Sequence, residues 1–452
     1  MIHKQVVNHR QIAWMVGSVL LTGMLISFFR SVTEIAKMDA WFSQVLPVGY
    51  AMLVAYVLAE MTRAYPGKNM FEIIFIVFGK WAGGVVNFVL LLYFWIILTL
   101  EIKGATKFFH ATLLPQTPVE ITLLVLVLMI MYYGKTSLEV AARVNEMYFP
   151  VFFLLAMAMY VMLSNEYSIE RLEPILNTSL TRIFISNFMT VGIYGDILLF
   201  GAFLHASTQS RLFFAALKHG ILIVGFVATI LLSILLGVMG YTIASRLNFP
   251  LFILIQQIHF TDFLDRVEIV LFSIWFPAFA IKVIVTYLAF LVGLGSFGGQ
   301  ANYTVFNFPA GWFIIAASLF AFRCIPDLDE FLSYSLPPIV LILQIPLLLV
   351  LYIKSRMSRK ESEQACIQEG TKLYRFYRYC VWLGRIAMTA SVLTIIIGSL
   401  LLNKSKMGGI ITAICYVVFF FLALLASYAE MQALNHGKQK LSRKKKPGSF
   451  RQ

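Results

Sequence analysis

Two ionisable side chains stand where no aqueous loop can reach them. Asp196 lies in TVGIYGDILLFG and Lys282 in IWFPAFAIKVIVTYLAF, each near the middle of a long apolar run. An ionisable group at that depth of a bilayer costs several kcal/mol and is by default a functional hypothesis. Gly192 and Gly195 precede Asp196, and glycines beside a buried carboxylate free backbone carbonyls and amides for a ligand at mid-membrane. The competing reading is that Asp196 hydrogen-bonds a neighbouring helix and the glycines serve close helix approach. Lys282 lies beyond the reach of snorkelling, so its ammonium needs water or a partner inside the bundle. It fits either a fixed cation in the place of a coupling sodium ion or a static counter-charge to Asp196. Pro277, five residues earlier, can kink the helix and leave carbonyls free.

Other candidates are weaker. In GSVLLTGML, Gly17 and Gly23 bracket Ser18 and Thr22, which reads as an unwound ligand-binding stretch or as a small-residue packing face. Tyr93 is a candidate lining residue of the third apolar run, whereas Glu101 and Lys103 near its outer end read as markers of the membrane interface. There is no Gly-rich phosphate loop, metal-ligand cluster or Ser/His/Asp constellation, so the chain reads as a non-enzyme that needs no cofactor. Cys324, Cys366, Cys380 and Cys415 show no CxxC or CxxH spacing and indicate neither a disulfide framework nor zinc.

The elements that must position these residues are transmembrane helices. Of 452 residues 60% are apolar, 13% charged and 15% aromatic, against about 25% charged residues in a soluble domain. Runs long enough for a membrane span recur at 12–29, 41–59, 82–100, 119–133, 147–163, 183–204, 221–243, 269–294, 305–322, 336–353, 386–402 and 410–428. The fourth is short, and the ninth carries Asn307, Pro309 and Gly311, so these two are the weakest. The net charge of +14 is not that of a nucleic-acid binder, because Lys and Arg fall between apolar runs. With the N-terminus inside, about two thirds of the 36 Lys and Arg fall on the cytoplasmic side, which places both termini there. The tail 438–446, KQKLSRKKK, should attract anionic lipid head groups.

The first and sixth spans, the ones with glycine-flanked polar residues, hold equivalent positions in two five-helix halves. That is the arrangement of transporters with inverted repeats, in which the substrate site lies where the interrupted helices meet. The expected organisation is a ten-helix core over 1–355, with repeats at about 8–165 and 166–355. A basic cytoplasmic link at 356–385, two further transmembrane helices within 386–428 and a basic tail at 429–452 follow.

Short motifs carry a resemblance over roughly residues 8–355. They are Asp39-Ala40-Trp41, Pro66-Gly67-Lys68, Gly79-Lys80-Trp81 with Gly83, Leu114-Pro115 with Thr117-Pro118, Gly134 with Glu139 and Ala142-Arg143, Phe249-Pro250, Asp265-Arg266 and Trp275. In order and spacing they resemble the B subunits of spore germinant receptors, the spore germination permeases. That family is similar to amino acid–polyamine–organocation transporters with the leucine-transporter-type fold of five plus five inverted helices. The resemblance implies an all-α polytopic protein of the spore inner membrane or plasma membrane. It would bind an amino acid or similar nutrient and signal to A and C subunits. By position the pocket would be lined by Gly17, Ser18, Thr22, Gly23, Tyr93, Tyr194, Gly195, Asp196, Lys282 and Thr286. One departure is the extra hundred or so residues after the tenth span. The alternative function is a proton-coupled amino acid or polyamine symporter, with Asp196 as proton carrier.

Overall fold

A computed structural model describes residues 7–24, 28–206, 209–258, 267–298, 303–322, 324–358, 372–402 and 405–444, and among these every regular element is helical. Hydrocarbon offers no partner to backbone N–H and C=O groups, so a spanning chain must satisfy them within each helix. Among the described residues ten helices are long and apolar enough to cross a membrane, a bent pair makes an eleventh, and α5 is a shorter apolar helix.

The first half comprises α1 (His9–Met24), α2 (Phe28–Ala36, extended by a 3-10 turn Lys37–Phe42), α3 (Val45–Ala64), α4 (Met70–Thr112), α5 (Val119–Tyr133) and α6 (Leu138–Met162). The second comprises α7 (Leu180–Tyr194, continuing as a 3-10 helix Gly195–Ala206), α8 (Ser210–Ala244), α9 (Pro250–Gln256), α10 (Val267–Phe297), α11 (Asn307–Phe320), α12 (Ile325–Glu330) and α13 (Leu336–Met357, entered through a π turn Phe331–Ser335). Two long helices follow, α14 (Lys372–Ile397) and α15 (Lys406–Lys444).

Both halves open on an interrupted helix. The axis turns by 68° between α1 and the Phe28–Phe42 segment. At Gly195 the hydrogen-bond pattern of α7 tightens to 3-10 and runs so to Ala206 with a break at Phe203 (φ −115°, ψ 18°), although such runs seldom exceed three or four and a mid-helix stretch often marks a hinge. Each half also places a short helix before its third span. In the first half Gly79, at φ 80° and ψ 178°, splits residues 70–78 from the rest of α4, and only glycine adopts that geometry without strain. In the second half α9 holds the matching place.

Of the two readings of 17–23, the unwound stretch is corrected and the packing face agrees with the structure, because α1 is regular helix through Met24. Gly17 serves packing: a Cβ there would stand 2.1 Å from the ring of Phe149 in α6. The first helix breaks after Met24, and residues 25–27 lie outside the described residues.

Several of the short motifs are structural ties. Asp39 is buried and accepts the backbone N–H groups of Leu176 (2.6 Å) and Thr178 (2.9 Å), holding the entry to α7 against the first half. Gly134 lets Asn307 approach, whose Nδ2 donates to the Met131 carbonyl at 2.7 Å and whose Oδ1 accepts from the Tyr287 hydroxyl at 2.7 Å. Asp265 and Arg266 lie outside the described residues, as do the side chains of the tail beyond Lys438.

The hairpin of α14 and α15 is fastened to the core along α8. Lys218 pairs with Glu430, His219 Nδ1 lies 2.8 Å from Ser427 Oγ, and the absence of a side chain at Gly225 admits Phe420.

Candidate functional site

The hinge in α7 puts Asp196 two residues past the last α-helical residue, Tyr194, inside the bundle, and α10 brings Lys282 to meet it. Lys282 Nζ lies 3.0 Å from Asp196 Oδ2 and 3.0 Å from Glu101 Oε1 of α4. All three side chains are at most 8% exposed. Gly23 completes the corner: a Cβ there would stand 2.4 Å from the ammonium, so any larger residue would have to displace the flexible end of Lys282.

Magnitudes explain why one lysine has two partners. Removing an ion from water costs several kcal/mol even after the protein relaxes, while a pair at about 3 Å gains about 5 kcal/mol at an effective dielectric of 20. A single pair barely offsets the cost of two buried ions. The second carboxylate secures the ammonium but leaves the cluster, if all three groups are ionised, with one net negative charge.

A cavity of about 40 Å³ adjoins the cluster, lined by Gly23, Glu101, Asp196 and Lys282 on one side and by Leu328, Leu332 and Leu336 on the other. On this measure a water needs roughly 10–15 Å³, so the space takes water and not an amino acid. Asp196 Oδ1, the carboxylate oxygen turned away from the ammonium, accepts no hydrogen bond among the described residues. The leucines come from α12, the π turn and the start of α13, and supply the apolar part of the cavity lining.

A second polar focus lies beside the first. Gln344 of α13 donates from Nε2 to the Gly195 carbonyl (3.0 Å) and to the Tyr93 hydroxyl (3.1 Å), and accepts at Oε1 from the Tyr50 hydroxyl (2.8 Å). Gln344 thereby holds a carbonyl released at the hinge and ties it to α4.

Of the sequence-predicted residues, Gly23, Asp196 and Lys282 meet at one point, with Tyr93 and Gly195 adjoining through Gln344. Thr286 sits one turn beyond Lys282, its hydroxyl donating to the Lys282 carbonyl at 2.9 Å. The other residues are placed elsewhere. Ser18 donates to Asn145 Oδ1 at 2.6 Å, Thr22 bonds back to the Ser18 carbonyl within α1, and Gly17 faces Phe149. Tyr194 is fully buried and donates to Gln44 Oε1 at 3.1 Å, away from the cavity.

Glu101 is the main correction. It was expected at the membrane interface with Lys103, but α4 runs on to Thr112, so residue 101 is interior. Tyr93, Ile97 and Glu101 recur every four residues, the spacing of one helix face, and that was the signal to follow. Lys103 turns the other way, donating to the Leu319 carbonyl at 3.2 Å, a group left without a helical partner at the end of α11. Gln344 gave no such signal, as a single amide in an apolar run.

The comparisons agree with this architecture. The fold is similar, at a TM-score of 0.55, to the solved structure of Mhp1, a nucleobase-cation-symport-1 family transporter, in a closed conformation with bromovinylhydantoin bound. That likeness has 10% identity over 96% of this chain and 97% of that one. The chain is 22% identical over 325 residues to the putative spore germination protein YfkT of Bacillus subtilis (strain 168), covering 72% of this chain and 89% of that protein. It is also 22% identical over 350 residues to spore germination protein KB of the same organism, covering 75% of this chain and 92% of that protein. A family profile described as "Spore germination protein" matches residues 6–324. The fold is thus the five-plus-five inverted arrangement, in a multi-pass membrane protein, and the chain belongs to the spore germination protein family.

Proposed function

We propose that this chain is the membrane-embedded nutrient-sensing subunit of a spore germinant receptor, and that its ligand is a small zwitterion such as an amino acid. The observation that carries this reading is the charge balance at the hinge. Two carboxylates face one ammonium beside a cavity, where helices α1, α4, α7 and α10 meet. An arriving ligand ammonium supplies the missing positive charge at Asp196 and Glu101. Its carboxylate goes to N–H groups at the start of α2, where a helix N-terminus favours an anion.

On this reading Leu328, Leu332 and Leu336 act as a lid over the small cavity, and ligand entry requires α12 and the start of α13 to move off the ions. A ligand shifts such an equilibrium only by its differential affinity for the two states. A hundredfold switch needs about 2.7 kcal/mol, which two charge-assisted hydrogen bonds supply. Partner A and C subunits would read the lid position in the spore inner membrane.

A second reading, a proton-coupled amino acid or polyamine symporter, draws on the same charge count, since a proton also neutralises the cluster. The two are separated by equilibrium binding of radiolabelled amino acids to purified protein, measured beside uptake into proteoliposomes. Binding without uptake under any proton or sodium gradient supports the sensor. Concentrative uptake driven by a proton gradient replaces it with the symporter. If Asp196→Asn preserves both binding and expression, the role given to the cluster is wrong in either case.

A further inference from the structure

The seam between the core and the α14–α15 hairpin opens into a second cavity of about 610 Å³, far larger than the one at the ion cluster. Chain direction fixes its level. Its walls are the end of α3, the start of α8, the first half of α14 and the second half of α15, all at the end of the bundle that carries the basic link and tail. Four basic side chains, Arg63, Arg211, Lys218 and Arg385, line it against two acidic ones, Glu60 and Glu430. Lys218 is engaged by Glu430. Arg211 and Arg385 are exposed and make no ion pair among the described residues.

Most of the remaining wall is apolar, including Phe214, Leu222, Ala423, Val381 and Met388, with the hydroxyls of Ser210 and Thr389 among them. Two guanidiniums at the mouth of an apolar cleft match an amphiphile with an anionic head. A free anion would leave the apolar wall unused, and a neutral lipid would leave the guanidiniums uncompensated. We propose that this groove binds one anionic phospholipid of the cytoplasmic leaflet, its phosphodiester on Arg211 and Arg385 and an acyl chain along Phe214 and Met388. Planar guanidinium forks suit a phosphate bidentately, and basic groups at the membrane surface favour anionic lipid. The bound lipid then bridges core and hairpin. The site is separate from the basic tail and from the ion cluster, and so does not depend on the ligand reading above.

The test uses the purified full chain, delipidated in neutral detergent. Phosphatidylglycerol, phosphatidylcholine of identical acyl chains, and sn-glycerol 3-phosphate as the free head group are titrated, with native mass spectrometry and thermal unfolding as readouts. Phosphatidylglycerol should bind one equivalent and raise the unfolding temperature, with phosphatidylcholine about tenfold weaker or worse and glycerol phosphate without effect. The double variant Arg211→Gln/Arg385→Gln should lose about tenfold or more in phosphatidylglycerol affinity, whereas Arg211→Lys/Arg385→Lys and a chain truncated after Gly437 should retain the site. Equal binding of the two lipids, unchanged binding by the Gln variant, or loss on truncation would each overturn the proposal. Binding of glycerol phosphate as tight as that of the lipid would make this a small-anion site and overturn it as well. Should the Gln variant fail to fold, the salt dependence of wild-type binding decides: phosphatidylglycerol must weaken with added salt, and a salt-independent affinity refutes the assignment.

Discussion

Lys282 and Lys218 are both held by carboxylates inside the protein, but they balance charge differently. Lys218 meets a single partner, Glu430, on the face that joins the hairpin to α8. That pair is neutral in itself and is flanked by the contact between His219 and Ser427. Lys282 meets two carboxylates beside a cavity, next to a helix hinge. A neutral pair is complete and acts as a fastener. Two carboxylates on one ammonium, when all three are ionised, leave a surplus negative charge with reason to recruit a cation, and the hinge gives the cluster the means to move.

The comparison can be broken first at Lys282. Lys282→Met strands two carboxylates without a counter-ion and should cost about 3–5 kcal/mol, read as a lowered unfolding temperature in detergent. Adding Asp196→Asn and Glu101→Gln should recover most of the loss while abolishing nutrient binding. A Lys282→Met variant as stable as wild type would show that the carboxylates do not depend on the ammonium.

At the seam, Lys218→Met should cost about 3 kcal/mol by leaving Glu430 buried alone. The pair Lys218→Met/Glu430→Leu should return to within about 1 kcal/mol of wild type, because apolar residues of similar volume replace a buried pair at little cost. Nutrient binding by that double variant should be unchanged, and a loss of binding would mean that the seam is coupled to the site.

Gly23→Ala sharpens the contrast. The new Cβ crowds only the flexible end of Lys282, so stability should fall by about 1 kcal/mol or less, while ligand affinity falls about tenfold from displacement of the ammonium. Preserved affinity in a binding titration would mean that the position of the ammonium is not critical. The smallest effect is expected for Lys103→Ala, which loses one hydrogen bond to the Leu319 carbonyl. It should cost about 1 kcal/mol of stability and leave binding intact, confirming that Glu101 and its near neighbour Lys103 serve different ends.

How much of this was legible beforehand follows from what each signal measures. Hydropathy reports how long a run is, so the spans, the weakness of α5 and the depth of Asp196 and Lys282 could be read directly. Glycine count reports permissiveness and not conformation. The glycines at 17 and 23 therefore suggested an unwound stretch, when one admits Phe149 and the other admits an ammonium within a regular helix. Glu101 was misplaced because the apolar run ends near residue 100, whereas α4 continues for another turn and more inside protein, where polarity is tolerated.

By itself the sequence determined that the chain spans a membrane many times, that its first and sixth spans are special and that it resembles the spore germination permeases, because these are properties of composition, period and motif order. Only the tertiary structure decided that Lys282 sits between Asp196 and Glu101, that Gln344 holds the hinge carbonyl, and that α14 and α15 enclose a basic groove against α3 and α8. Those facts join residues from 86 positions apart, Asp196 and Lys282, to 367 apart, Arg63 and Glu430. No local pattern encodes such a meeting; it arises when helices pack and each buried charge must find a partner that water no longer supplies.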